Sequence, residues 1–83
     1  MKILYFAWLR EKVGVAEEEV SRPADVTDVQ GFLEWMKQRG GVYGEALADP
    51  NVVRVAVNQT YVDAAHPLED GDEIALFPPV TGG

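Results

Sequence analysis

Apolar residues follow two different spacings along the chain. Residues 3–9 are an apolar run of branched and aromatic side chains around Ala7, the composition of a β-strand. Residues 10–14 then read as a turn, closing on Gly14. Residues 16–21 predict a returning strand, and only an exposed edge tolerates Glu17-Glu18-Glu19, which reads as a solvated acidic face. Beyond Thr27 the spacing becomes helical: Val29, Phe32, Leu33 and Met36 fall at i, i+3, i+4 and i+7. Thr27 with Gln30 three positions on makes a capping pair, Lys37 and Arg39 suit the final turn, and Gly40-Gly41 supply a stop. Gly31 costs such a helix roughly 1 kcal/mol relative to alanine, which predicts a close neighbour. Trp35 lies beside the apolar stripe, widening the buried face or meeting a partner.

Residues 42–50 read as a loop with a turn of helix around Glu45-Ala46-Leu47. Residues 52–57 form a strand with one richly apolar face, Asn58-Gln59 a turn, and Thr60-Tyr61-Val62 a short strand pairing back. Asp70-Gly71 turns the chain into a last strand, Glu73-Ile74-Ala75-Leu76-Phe77. Two strands, a helix and two or three further strands describe an α+β domain with one main helix on a mixed sheet, an order that matches a β-grasp arrangement. The predicted organisation is a domain over residues 1–77 and an extended tail over 78–83. Pro78 and Pro79 cannot donate to a ladder and favour extended backbone, so six tail residues reach about 20 Å at ~3.3 Å each.

With 83 residues there is room for one core and little more. The charge of -7 is the wrong sign for binding nucleic acid or an anionic membrane. It serves solubility and steering toward a basic partner equally well. There is no cysteine, so any sulfur chemistry must import its sulfur. No apolar run approaches a membrane span, and Met1-Lys2 leads directly into a strand, so the expected location is cytoplasmic. His66, in a loop with no positioned partner in the sequence, reads as structural. Asp70, Asp72 and Glu73 read as a turn rather than metal ligands, because their spacing is not that of a calcium loop; no metal site is expected.

The terminal Gly82-Gly83 pair lets a narrow channel close around the backbone and leaves the terminal carbonyl unhindered. An α-carboxylate of pKa ~3.5 is ionised and a poor electrophile, so acyl chemistry there needs activation first. Adenylation by ATP followed by attack of a sulfur nucleophile would yield a thiocarboxylate. The ending Gly71-Asp72-Glu73-Ile74-Ala75-Leu76-Phe77-Pro78-Pro79-Val80-Thr81-Gly82-Gly83 closely resembles the C-terminus of molybdopterin synthase small subunits. Phe6-Ala7-Trp8-Leu9-Arg10-Glu11 is similar to that family's opening, and Val55-Ala56-Val57-Asn58 with Tyr61-Val62 to its central hairpin.

The resemblance implies a ubiquitin-like β-grasp fold and a sulfur carrier in molybdenum cofactor biosynthesis, a non-catalytic subunit of a sulfurtransferase complex. Gly83 would be adenylated by a ubiquitin-activating-type adenylyltransferase, converted to a thiocarboxylate with a sulfur donor protein, and give its sulfur to cyclic pyranopterin monophosphate. ATP and Mg would belong to the activating enzyme, with no cofactor on this chain. Val80, Thr81 and Gly82 would enter the large subunit of molybdopterin synthase within a heterotetramer. Phe77, Pro78 and Pro79 would anchor the base of the tail, and Phe6 is either part of the partner-facing patch or an ordinary core residue. A carrier for thiamine synthesis, a ubiquitin-like modifier, and an interaction domain with an inert tail are the alternatives.

Overall fold

The computed structural model describes residues 1–79; Val80, Thr81, Gly82 and Gly83 lie outside the described residues. In chain order the elements are β1 (Lys2–Tyr5), α1 (Trp8–Val13), β2 (Glu17–Glu19), α2 (Val29–Gln38), α3 (Gly41–Ala46), a 3-10 turn (Pro50–Val52), β3 (Arg54–Val57), β4 (Thr60–Tyr61) and β5 (Glu73–Phe77). The strands form one sheet in the order β2-β1-β5-β3-β4. The central pair β1 and β5 is parallel and the other three pairings are antiparallel. Parallel neighbours cannot be joined by a hairpin, so the chain between them crosses over, carrying the helices onto one face. This is the mixed sheet and β-grasp architecture expected.

Alternation within the central strands creates the core. Ile3 and Tyr5 from β1, Val55 and Val57 from β3, and Ile74 and Leu76 from β5 are buried against Val29, Phe32 and Met36 of α2. Each such side chain contributes about 1.5–3 kcal/mol by leaving water. Leu33 and Trp35 are partly buried at the margin, so Trp35 widens the apolar face of the helix.

The helix begins one residue later than the sequence pattern predicts. Asp28, in extended conformation, is the N-cap, and its carboxylate accepts the Gly31 N–H at 2.7 Å. The Thr27 carbonyl instead accepts the Leu68 N–H. A Cβ at residue 31 would lie 3.1 Å from the capping oxygen, so the close neighbour of Gly31 is the cap itself. At the other end Gly40, with φ 75° and ψ -170°, occupies backbone space open only to glycine, and α3 begins immediately after it.

Three further expectations are corrected. The first strand ends at Tyr5, and residues 8–13 are helical where a strand end and turn were expected. Ala7 (φ 55°) breaks the extended run, after which Leu9 and Val13, four residues apart, both turn onto the core. Residues 41–46 form a full helix, and the 3-10 turn delays β3 to Arg54. Glu18 is also no solvated residue. As partner of Ile3 it points to the helix side, where Arg39 donates to it at 2.8 and 3.0 Å and the Tyr5 hydroxyl at 2.7 Å. Hydrogen bonding from Arg39, ahead of an opposing burial effect, holds the Glu18 carboxyl below its ordinary range. Burial, then Glu18, pushes the Tyr5 hydroxyl upward. No helix among the described residues is long and apolar enough to cross a membrane.

Candidate functional site

Among the described residues the opposite face of the sheet carries no helix, and its character changes along the strands. Cross-strand partners share a face, so Lys2, paired with both Glu19 and Glu73, makes one end charged. Its ammonium sits 3.1 Å from Glu17, which raises the lysine pKa. Toward the end of β5 the face turns apolar. Ala56 pairs with Tyr61 on one side and Ala75 on the other, while Arg54 pairs with Phe77.

The small residues Ala56 and Ala75 decide the shape of this end. With only methyl groups between them and the solvent, Tyr61 leans across to Phe77, ring centroids 5.4 Å apart. Tyr61 is nonetheless 76% exposed. Phe6 is 48% exposed, and its N–H donates to the Leu76 carbonyl at 3.1 Å, fixing it beside the last residues of β5. Ala7 then turns the chain away into α1, whose first residue Trp8 is also exposed. Two shallow depressions result, one bounded by Phe6, Gln59, Tyr61 and Phe77, the other by Arg54, Val55, Tyr61, Val62 and Phe77. An exposed aromatic cluster of this kind suits burial against a protein partner.

Of the residues singled out from sequence, Phe6 and Phe77 therefore meet at one end of the sheet, and Phe6 is not a core residue. Pro78 and Pro79 follow directly at this aromatic end, both half-buried. Val80, Thr81, Gly82 and Gly83 fall outside the described residues. The sequence reading missed Tyr61, Ala56, Ala75 and Arg54 as parts of the same surface. Their signal was the two-residue alternation in β3 and β5, usable only once the pairing register is known.

Among the described residues no acid–base constellation accompanies the patch. His66 lies in a loop, where its carbonyl accepts the Val29 N–H. Asp72 accepts from the Asn58 side chain and the Glu69 N–H, and Asp70 pairs with Arg22, so these acids build turns. Among the described residues no group of three metal-ligating side chains converges. What these described residues offer is an aromatic face suited to docking.

Residues 3–83 match the model of the ThiS family. The chain is 46% identical over 83 residues to the molybdopterin synthase sulfur carrier subunit of Escherichia coli, covering 100% of this chain and 99% of that protein. Among solved structures it resembles the small archaeal modifier protein SAMP1 of Haloferax volcanii (27% identity, 99% of this chain and 97% of that one, TM-score 0.71). It also resembles a chain in the complex of subunits 1 and 2 of the molybdopterin-converting factor from Helicobacter pylori (26% identity, 99% and 96%, TM-score 0.66). By its β-grasp sheet and by this full-length similarity, the chain belongs to the ThiS family and, within it, groups with the molybdopterin synthase sulfur carrier subunits.

Proposed function

We propose that this chain is the sulfur carrier of a molybdopterin synthase. The observation that carries the reading is a Gly-Gly pair following an aromatic face built from the exposed Phe6 and Tyr61 and the half-buried Phe77. The face docks on a partner, and the residues from Pro78 onward extend into that partner's active site. The Gly83 carboxylate displaces pyrophosphate from ATP to form an acyl adenylate, on an activating enzyme that supplies the Mg. A sulfide-level sulfur nucleophile supplied by a donor protein then displaces AMP, giving a thiocarboxylate. In the large subunit the thiocarboxylate sulfur attacks cyclic pyranopterin monophosphate, water cleaves the acyl–sulfur bond to leave the sulfur on the substrate, and the carrier returns as carboxylate. Val80, Thr81 and Gly82 line the inserted segment, within a heterotetramer in the cytoplasm. The Helicobacter pylori relative solved with its subunit 2 supports the choice of partner.

The absence of cysteine makes the test specific. Exchange of the terminal oxygen for sulfur adds about 16 Da, but so does oxidation of either methionine. A thiol alkylating reagent separates the two, since this chain has no other thiol. After incubation with ATP, activating enzyme and sulfur donor, one alkyl group is expected on the full chain and none on a chain lacking Gly82 and Gly83. No ATP-dependent alkylation, with the same enzyme converting a control carrier, refutes the proposal.

The likeness to an archaeal modifier protein favours a second use of the same activated terminus, conjugation to lysines. It is read as an ATP-dependent isopeptide-linked adduct of higher mass.

A further inference from the structure

Among the described residues Arg54 is the one charged residue bounding the two aromatic depressions, in a chain with fourteen acidic residues. It is exposed, and among the described residues it has no ion-pair partner; Arg22 and Arg39 are paired, and Arg10, also without a partner, lies on α1 and bounds neither depression. Its register opposite Phe77 places it at the root of the tail. Val55, Tyr61, Val62 and Phe77 surround the same depression, so water is displaced from around the guanidinium when the face is covered. A cation covered without a counter-charge loses its hydration uncompensated. The carboxylates of this sheet face, Glu17, Glu19 and Glu73, belong to its opposite, charged end around Lys2.

Resting on the docking role assigned to this face, we propose that Arg54 is a specificity-determining contact that receives a carboxylate from the large subunit. The occupant is an aspartate or glutamate beside an apolar group, the carboxylate taken by the guanidinium and the apolar group by Tyr61 and Phe77. A planar fork suits a carboxylate better than a lysine ammonium would. The contact also selects among partners, because a large subunit with a neutral or basic residue there must cover the guanidinium unpaired.

The experiment measures Kd for the complex of the full chain with the large subunit encoded in the same genome, at several salt concentrations. The variants are Arg54→Met, Arg54→Glu and Phe77→Ala, with Lys37→Met, on a helix of the opposite face, as control. Arg54→Met keeps the apolar stem and removes the charge. It is expected to weaken binding about tenfold and to flatten the salt dependence, with Arg54→Glu weaker still by about another tenfold and Lys37→Met unchanged. Arg54→Met binding with the wild-type Kd and salt slope, while Phe77→Ala weakens the complex, overturns the inference and leaves the docking role standing. A wild-type chain that does not bind the large subunit overturns both. Loss confined to binding of the activating enzyme also overturns it.

Discussion

Replacing Glu18 with alanine tests how the edge strand is held to the helices. The carboxylate takes two hydrogen bonds from Arg39, at 2.8 and 3.0 Å, and one from the Tyr5 hydroxyl at 2.7 Å, with Tyr43 approaching at 3.3 Å. The Arg39 guanidinium is itself 4.0 Å from the Tyr43 ring centroid. Hydrogen bonds to charged groups contribute about 1.5–3 kcal/mol, but side-chain exposures of 26% and 21% leave the pair partly screened. Truncation also leaves the Tyr5 hydroxyl without its acceptor. The expected loss is therefore about 2–3 kcal/mol for Glu18→Ala and about 1 kcal/mol for Glu18→Gln, which keeps an acceptor for Tyr5. Urea unfolding followed by tryptophan fluorescence measures both, since Trp35 lies 5.4 Å from the same guanidinium.

The pH dependence has a definite sign. Because the folded-state pKa of Glu18 is lowered, its contribution is complete above the ordinary value of 4.5 and is lost as pH falls through the folded value. The gap between wild type and Glu18→Gln should thus be constant near neutrality and close in acid below pH 4.5. A Glu18→Ala loss under about 0.5 kcal/mol, or a gap that widens in acid, refutes the reasoning, since it would make the clasp no stronger than an ordinary surface pair.

Phe32→Ala empties a fully buried position and should cost about 3–5 kcal/mol in the same unfolding assay. Gln59→Gly relieves a residue held at φ 70° in the β3–β4 turn and should raise stability by roughly 0.5–1 kcal/mol, provided the turn is retained. The double variant Phe6→Ser, Tyr61→Ser removes exposed rings only, so its urea midpoint should stay near wild type while association with the large subunit, followed by calorimetry, weakens at least about a hundredfold. His66→Ala should leave ATP-dependent thiolation of the tail unchanged, as measured by alkylation and mass; a loss would place the residue in the transfer chemistry.

Strands β3 and β5 and the apolar stripe of α2 were legible because each has a single strong period over enough residues to outweigh local preference. The first turn of the chain was not. Residues 3–9 have strand composition throughout, and what ends the strand is the positive φ of Ala7, a conformation no propensity for alanine predicts. The N-cap was misplaced by one residue because Thr27 and Asp28 are both good caps, and the choice fell to the Thr27 carbonyl's bond to the Leu68 N–H, forty-one positions away.

By itself the sequence determined the α+β class, the absence of thiol chemistry in the chain, and the Gly-Gly terminus, because composition, periodicity and covalent structure need no partner in space. Only tertiary structure decided which residues surround the root of the tail. Phe6, Arg54, Tyr61 and Phe77 come from four separate segments, brought together by the parallel pairing of β1 with β5 and the antiparallel pairings of β3. A shift of one residue in any of those registers would send the strand's side chains to the opposite face, and that register is fixed by burying Ile3, Val55, Ile74 and Leu76 beneath the helix.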